Sequence, residues 1–243
     1  MTAITRYAEH RPGFEDRLAL TTARLRQIAA EFGDGVLLAS SLGAEDMVLT
    51  DLIARHHLRI AIATLDTGAL PPQTLALLPR IHARYGIHVQ VHRPQAQAVI
   101  QFVREHGPLA MRDSVALRQA CCGLRKLVPL AQMLAGKRAW VTGLRREQSA
   151  TRAELVFRDS DAQQRVKFNP LADWSQADVW HFIGLHQVPY NPLHDAFYAS
   201  IGCAPCSRPV ALGEDERAGR WWWEQTSAKE CGLHAPTPSA LNP

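Results

Sequence analysis

Apolar residues in this chain first gather into short unbroken runs: "GVLLAS" from Gly35, "RIAIATL" from Arg59, "IHVQV" from Ile87 and "RAWVTG" from Arg138. Runs of this length, rich in β-branched residues, suit strands buried on both faces. Between them the period changes. After Gly43, "AEDMVLTDLIARH" places Val48, Leu49, Leu52 and Ile53 on one helical face, with Glu45 and Asp46 in the first turn, where the helix dipole favours acids. Pro71 and Pro72 are suited to opening a second helix with apolar positions Leu75, Leu78 and Ile81. Ala98 to Phe102 belong to a third, closed near Gly107 and Pro108, and the segment bearing Cys121 and Cys122 reads as a helix before the fourth strand. Strands separated by helices of this size predict an α/β fold, a mostly parallel sheet flanked by helices. Crossovers should be right-handed, with a ligand outside the carboxyl ends of the strands.

The pattern divides the chain into an N-terminal helical segment over 1–33, an α/β unit over 34–212 and a closing segment over 213–243. In the less regular last third, Ser175 with Asp178 three residues on resembles a capping box before "VWHFIGLH". Pro189, Asn191 and Pro192 then break the chain, which puts Cys203 and Cys206 in a constrained loop. From Cys231 onward, "CGLHAPTPSALNP" is either mobile or a flap over a site, and periodicity does not separate the two.

The 243 residues suffice for one large core, and no apolar run approaches the roughly 20 residues needed to cross a bilayer. Arg6, Glu9, His10 and Arg11 precede any apolar run, so no signal peptide is expected and the thiols should stay reduced in a cytoplasmic setting. Between Arg118 and Lys167 there are 11 basic and 4 acidic residues, against a whole-chain charge of +4. That concentration suggests a compact anionic ligand more than duplex nucleic acid, with a solvated basic face as the plain alternative.

Candidate chemistry lies in two places. "SSLGAED" puts Ser40, Ser41 and Gly43 between a strand and a helix N-terminus, where backbone N–H groups can meet an oxyanion; without the Lys of a Walker A loop, it suits a passing phosphate better than a triphosphate. On the same rim, "LDTG" offers Leu65, Gly68 for a close approach, and Asp66 either for a ribose hydroxyl or as a cap. The second place is the thiols. Of five cysteines, Cys121 and Cys122 are adjacent, Cys203 and Cys206 form C-x-x-C, and Cys231 stands alone. Four thiols in two pairs suit a metal centre. Adjacent donors converge poorly on one zinc ion but can reach two corners of a [4Fe-4S] cube; zinc and inert thiols remain the alternatives. Arg118, Arg125 and Lys126 would offset thiolate charge, and Lys126 could also meet an anion beside the centre. Cys231, beside Gly232 and His234 and after Arg217, Arg220 and three tryptophans, is either a nucleophile or an inert surface thiol. At least two of Trp221, Trp222 and Trp223 are expected to anchor the closing segment.

The runs "SSLGAED", "LDTG", "CCGLRK" at Cys121, "TGLRREQSATR" at Thr142, "PYNPLHDAFYASIGCAPC" at Pro189, "GEDERAGRWWW" at Gly213 and "KECGLH" at Lys229 together resemble the assimilatory, cluster-containing adenylyl-sulfate reductases. The resemblance implies an adenine nucleotide alpha-hydrolase-like sheet with a C-terminal active-site flap. It further implies one [4Fe-4S] cluster per subunit on Cys121, Cys122, Cys203 and Cys206, and a nucleophile at Cys231. Lys126, Arg217, Arg220 and His234 would surround the phosphosulfate; Arg152 and the Ser40–Ser41 loop would face the nucleotide, and Leu65 the adenine. The implied reaction reduces adenosine 5'-phosphosulfate to sulfite and AMP through an S-sulfocysteine, with reduced thioredoxin or a glutaredoxin-like protein as partner. Neither nucleic acid nor membrane is an expected partner, and assembly into a homo-oligomer is left open. Ala69 and Gln73 depart from the Arg and Glu common in the family and should modify a rim contact. A reductase of the 3'-phosphorylated nucleotide is the close alternative; its members commonly lack the four cluster cysteines. A redox-sensitive RNA-binding module is the alternative outside enzymes.

Overall fold

The computed structural model describes residues 1–224. Six strands form one sheet: β1 (Val36–Ser40), β2 (Ala61–Leu65), β3 (Gln90–His92), β4 (Ala139–Val141), β5 (Arg158–Ser160) and β6 (Val166–Phe168), in the spatial order β3-β2-β1-β4-β6-β5. All neighbours are parallel except β5, which pairs antiparallel with β6 at one edge. The four expected strands are present, three with trimmed ends; β3 is shifted to Gln90–His92 and, at the sheet edge, is not buried as expected. β5 and β6 were not anticipated, because three exposed residues followed by three residues of a polar stretch carry no strand pattern.

Nine α-helices accompany the sheet among the described residues: α1 (Ala3–Tyr7), α2 (Phe14–Phe32), α3 (Ala44–Arg55), α4 (Pro72–Leu75), α5 (Leu77–Tyr85), α6 (Ala96–His106), α7 (Val115–Cys122), α8 (Val128–Met133) and α9 (Gln176–His186). The helix expected after Pro71 is split at Ala76 into α4 and α5. The Ser175–Asp178 capping box is present: Ser175 Oγ accepts from the Asp178 N–H at 3.1 Å, and Ser175 N–H donates to Asp178 Oδ2 at 2.8 Å. Arg17 donates to both oxygens of Asp178, at 2.9 and 3.1 Å, and so ties α2 to the start of α9. Leu25, Ile28 and Phe32 of α2 enter the same core as Val36, Leu38, Val141, Trp174 and Phe182. The helical N-terminal segment therefore shares its apolar interior with the sheet. None of the helices described is long and apolar enough to cross a membrane.

The path from β1 runs outward to β2 and β3, then returns to place β4 on the other side of β1. The strand order thus reverses between β1 and β4, where the loops leaving their carboxyl ends diverge and leave a crevice.

Candidate active site

A cavity of about 240 Å³ occupies that crevice, lined by the ends of β1, β2 and β4 and by segments from α8, the 199–203 loop and the closing segment. Ser40, Ser41, Gly43, Leu65, Lys126, Arg152, Arg217 and Arg220 all line it, together with Cys203. Asp66 and Gly68 are not brought to it. Asp66 accepts from the Gly68 N–H at 3.0 Å and from Arg93 Nε at 2.9 Å, so its carboxylate caps its own turn. Gly68 adopts φ +69°, which explains the glycine by the turn. His234 and Cys231 lie outside the described residues.

The turn after β1 is internally paired. Ser41 donates both its N–H and Oγ to Asp46 Oδ2 at 2.6 Å, the Leu42 N–H donates to Ser40 Oγ at 3.1 Å, and the Gly43 N–H donates to Ser41 Oγ at 3.2 Å. These three N–H groups therefore already have acceptors within the chain. Burial pushes the Asp46 carboxyl up to about 6 against the pull of the Ser41 donors. Gly143, leaving β4, closes onto this turn; a Cβ there would lie 2.4 Å from Asp46 Oδ1 and 3.1 Å from Asp46 N. Burial also works to raise Glu45, but the Arg145 guanidinium, donating at 2.8 Å, and Gln148 at 2.9 Å hold it below the usual carboxylate range.

Arg145, buried at 1% side-chain exposure, also reaches Glu216 at 3.3 Å and so pins the closing segment to the start of α3. Glu216 is pushed up to about 7, mainly by burial. These carboxylates and Arg145 escaped the sequence reading because the charges come from three distant segments. The basic stretch between Arg118 and Lys167 is likewise no continuous face: Arg145, Arg146, Arg158 and Arg165 each face a carboxylate.

At the other side of the cavity the thiols collect. Cys121 and Cys122 end α7, and the chain continues through a wider π-helical turn, Gly123–Leu127, which carries Arg125 and Lys126. Such turns are rare and recur at functional sites. Cys203 and Cys206 flank a short 3₁₀ turn held by the Ala204 N–H, which donates to the Ala69 carbonyl at 2.7 Å. All four thiols are 6% exposed, unoxidised, and gathered in one buried cluster with Met111 and Trp221. Thr67, from the "LDTG" turn, brings its Oγ1 to 3.2 Å from Cys203 Sγ. Arg125 donates to the Thr67 carbonyl at 2.7 Å, joining the π-helical turn to the same point.

Burial drives the Cys206 thiol up to about 11, with further increase from Cys203 and Cys122 and opposition from Arg220 and Lys126. Cys121 is raised by burial against Arg125 and Lys126. Four thiols that sense one another, ringed by cations, are a donor set suited to an anionic thiolate-bound centre. Among the described residues no group of three or more His, Cys, Asp or Glu side chains is arranged to hold a single metal ion.

Trp221 separates the thiols from solvent, at 1% exposure and φ +42°. Around its ring stand Arg118 at 4.8 Å, Arg220 at 4.9 Å, Arg217 at 5.9 Å and Lys126 at 6.0 Å from the centroid. Trp223 packs on the same cluster and meets Trp222 edge to face at 4.8 Å, in agreement with two anchoring tryptophans. Arg220 is fixed by Ser207, whose Oγ accepts from Arg220 Nη1 and from the Gly202 N–H, both at 2.9 Å, and donates to the Cys203 carbonyl at 3.1 Å. The guanidinium lies so close over Gly202 that a Cβ there would be 1.8 Å from Nη1. Lys126, Arg217 and Arg220 thus form a cationic end of the cavity beside Cys203, suited to a sulfate or phosphate group.

Residues 35–209 match the phosphoadenosine phosphosulfate reductase domain family. The chain is 52% identical over 232 residues to the adenosine 5'-phosphosulfate reductase of Allochromatium vinosum, covering 93% of this chain and 90% of that one. It is 51% identical over 229 residues to the enzyme of the same name from Neisseria meningitidis serogroup A, with 91% and 93% covered. Among solved structures, phosphoadenylyl-sulfate reductase from Candida auris, in a phosphate complex, superposes with a TM-score of 0.66 at 25% identity over 76% of this chain and 88% of that one. Yeast FAD synthetase, at TM-score 0.55 and 14% identity over 85% and 73% of the two chains, shares the fold alone. The adenine nucleotide alpha-hydrolase-like sheet expected from the sequence is therefore present. The match over most of the chain, with identity above half to full-length relatives, makes this protein a member of the phosphoadenosine phosphosulfate reductase family.

Proposed function

We propose that this protein reduces adenosine 5'-phosphosulfate to sulfite and AMP in sulfate assimilation. The observation that carries the reading is one cavity at the β1/β4 reversal with cations and buried thiols at one side and a strand-end turn at the other. Its relatives bearing that activity in their names match nearly the whole length of the chain.

In this reading the nucleotide lies along the strand ends, with Leu65 beside the base and Arg152 over the nucleotide. The phosphosulfate points toward Lys126, Arg217 and Arg220. The Cys231 thiolate attacks the substrate sulfur; the bond from sulfur to the bridging phosphate oxygen breaks, AMP leaves with that electron pair, and the sulfonyl group stays on Cys231. AMP is a competent leaving group, so the cations need only stabilise charge spread over the sulfate and phosphate oxygens. His234 joins them from the same closing segment. A reduced thioredoxin-like dithiol then attacks the Cys231 sulfur, sulfite departs, and the second thiol resolves the mixed disulfide. Both electrons come from that dithiol.

Cys121, Cys122, Cys203 and Cys206 would hold a [4Fe-4S] cluster, which when bound supplies a fixed centre of charge beside the substrate anion. Arg125, Lys126 and Arg220 balance the thiolates. The setting is cytoplasmic, where both the thiols and the dithiol partner stay reduced.

The experiment compares sulfite release from adenosine 5'-phosphosulfate and its 3'-phosphorylated form, anaerobically and with a thioredoxin-like reductant. A clear preference for the unphosphorylated nucleotide is expected. Preference for the 3'-phosphate, or iron-free protein carrying only zinc, would overturn the reading.

A further inference from the structure

His194 lines the cavity, is 5% exposed, and belongs to a 3₁₀ turn, Pro192–His194, opened by Asn191. Two hydrogen bonds set the turn: Asn191 Oδ1 accepts from the Leu193 N–H at 3.0 Å, and Asn191 Nδ2 donates to Thr74 Oγ1 at 2.9 Å. The ring packs edge to face on Trp180 at 5.2 Å. Its Nδ1 lies 2.8 Å from the Tyr198 carbonyl oxygen, which can only accept, so Nδ1 carries the proton. In the neutral ring Nε2 is then a bare acceptor, and this buried atom has no hydrogen-bond partner among the described residues. Burial keeps the imidazole below its ordinary value despite the nearby Glu45 charge, so the acceptor form persists at neutral pH.

A buried acceptor left open at a nucleotide cavity calls for a ligand donor. Phosphate and sulfate oxygens, unprotonated at neutral pH, cannot supply one; a ribose hydroxyl can. We infer that His194 accepts a hydrogen bond from a ribose hydroxyl of the bound nucleotide, and that this contact, with the Glu45 carboxylate nearby, selects against a 3'-phosphate. The inference rests on the adenosine 5'-phosphosulfate reading above and deepens it. A 3'-phosphate would remove the 3'-hydroxyl donor, meet the Nε2 lone pair with oxygen lone pairs, and add negative charge near an ionised carboxylate. Rejection of a ligand that leaves a site's polar group unpaired is stronger than rejection by an apolar wall.

The test uses the iron-loaded enzyme and its His194→Ala and His194→Gln variants. Sulfite formation from both nucleotides is measured, with inhibition by AMP, 2'-deoxy-AMP, 3'-deoxy-AMP and IMP. Wild type should prefer the unphosphorylated substrate and bind 3'-deoxy-AMP about tenfold more weakly than AMP. His194→Ala should lose kcat/KM mainly for adenosine 5'-phosphosulfate, shrink the ratio between the two substrates by about tenfold or more, and bind AMP and that deoxy nucleotide alike. His194→Gln, which keeps an acceptor oxygen, should recover part of the ratio. An unchanged ratio in His194→Ala, or wild-type enzyme indifferent to 3'-deoxy-AMP, overturns the inference while leaving the reductase reading intact. Discrimination lost only against IMP would assign His194 to the base and overturn the ribose contact. Wild-type enzyme that reduces neither nucleotide would sink both readings. Where a variant fails to fold, the deoxy series on wild type still overturns the inference if 3'-deoxy-AMP binds as tightly as AMP.

Discussion

At the Ser40–Asp46 turn, the Ser41 hydroxyl and the N–H groups of Ser41, Leu42 and Gly43 are satisfied within the chain, while around the four thiols buried Trp221 Nε1, Trp223 Nε1 and Glu224 Oε2 have no hydrogen-bond partner among the described residues. Burial raises the Cys121 and Cys206 thiols, yet four cations stand around the tryptophan that covers the cluster. One side of the cavity is a rigid, self-paired rim that presents shape. The other gathers buried thiols and cations, a setting suited to thiolates and an anionic substrate.

Substitutions at the cationic side should do the most damage. Lys126→Ala is expected to lower kcat/KM by about 10² to 10³, measured as sulfite release, because it removes a cation from the developing charge. Gly202→Ala should approach this loss, since the added methyl occupies the place of the Arg220 guanidinium and forces it away from Ser207. Retention of more than half the activity by both variants would break the comparison. Cys122→Ser should deplete iron and the visible absorption of anaerobically purified protein; full iron content would remove Cys122 from the proposed ligands.

At the self-paired rim the expected effects are smaller and fall on stability and nucleotide binding together. Gly143→Ala drives a methyl into Asp46, and should cost about 1–3 kcal/mol in denaturant unfolding and weaken AMP binding. Wild-type stability in that variant would mean that the Gly143–Asp46 contact does not hold the turn. The gentlest test concerns Glu216, whose folded-state value of about 7 stands above its ordinary 4.5. The native state then keeps its proton longer than the unfolded chain, so wild-type stability should fall relative to Glu216→Gln as pH rises from about 4.5 to about 7, by at most about 3 kcal/mol. Below that window the difference should be flat, and a difference that grows in the opposite direction would contradict the burial of Glu216.

The parallel core was legible because β1, β2 and β4 are largely buried apolar runs ending in turn residues, a signal that survives without tertiary context. β5 and β6 were not, since Arg158–Ser160 is exposed throughout and owes its conformation to pairing with its neighbour. At the site, the cysteine pairs and the cations of "CCGLRK" and "GEDERAGR" announced themselves through residue type and spacing. The π-helical turn that orients Lys126 has no such marker. Asp66 could be read as a ribose acceptor or as a cap, and its partner Arg93, 27 residues away, could not be seen from the local pattern. The Glu45–Arg145–Glu216 array and the open acceptor of His194 depend on side chains meeting from separate segments, which no local pattern encodes.

The central claim is that Cys231 receives the substrate's sulfur at the cationic side of this cavity. Intact mass, measured after incubating the enzyme with adenosine 5'-phosphosulfate in the absence of any thiol reductant, tests it most directly. The account predicts a gain of one sulfonyl group, lost on adding reduced thioredoxin and absent in Cys231→Ser. An adduct that persists in Cys231→Ser, or wild-type protein that turns over without acquiring one, would contradict it.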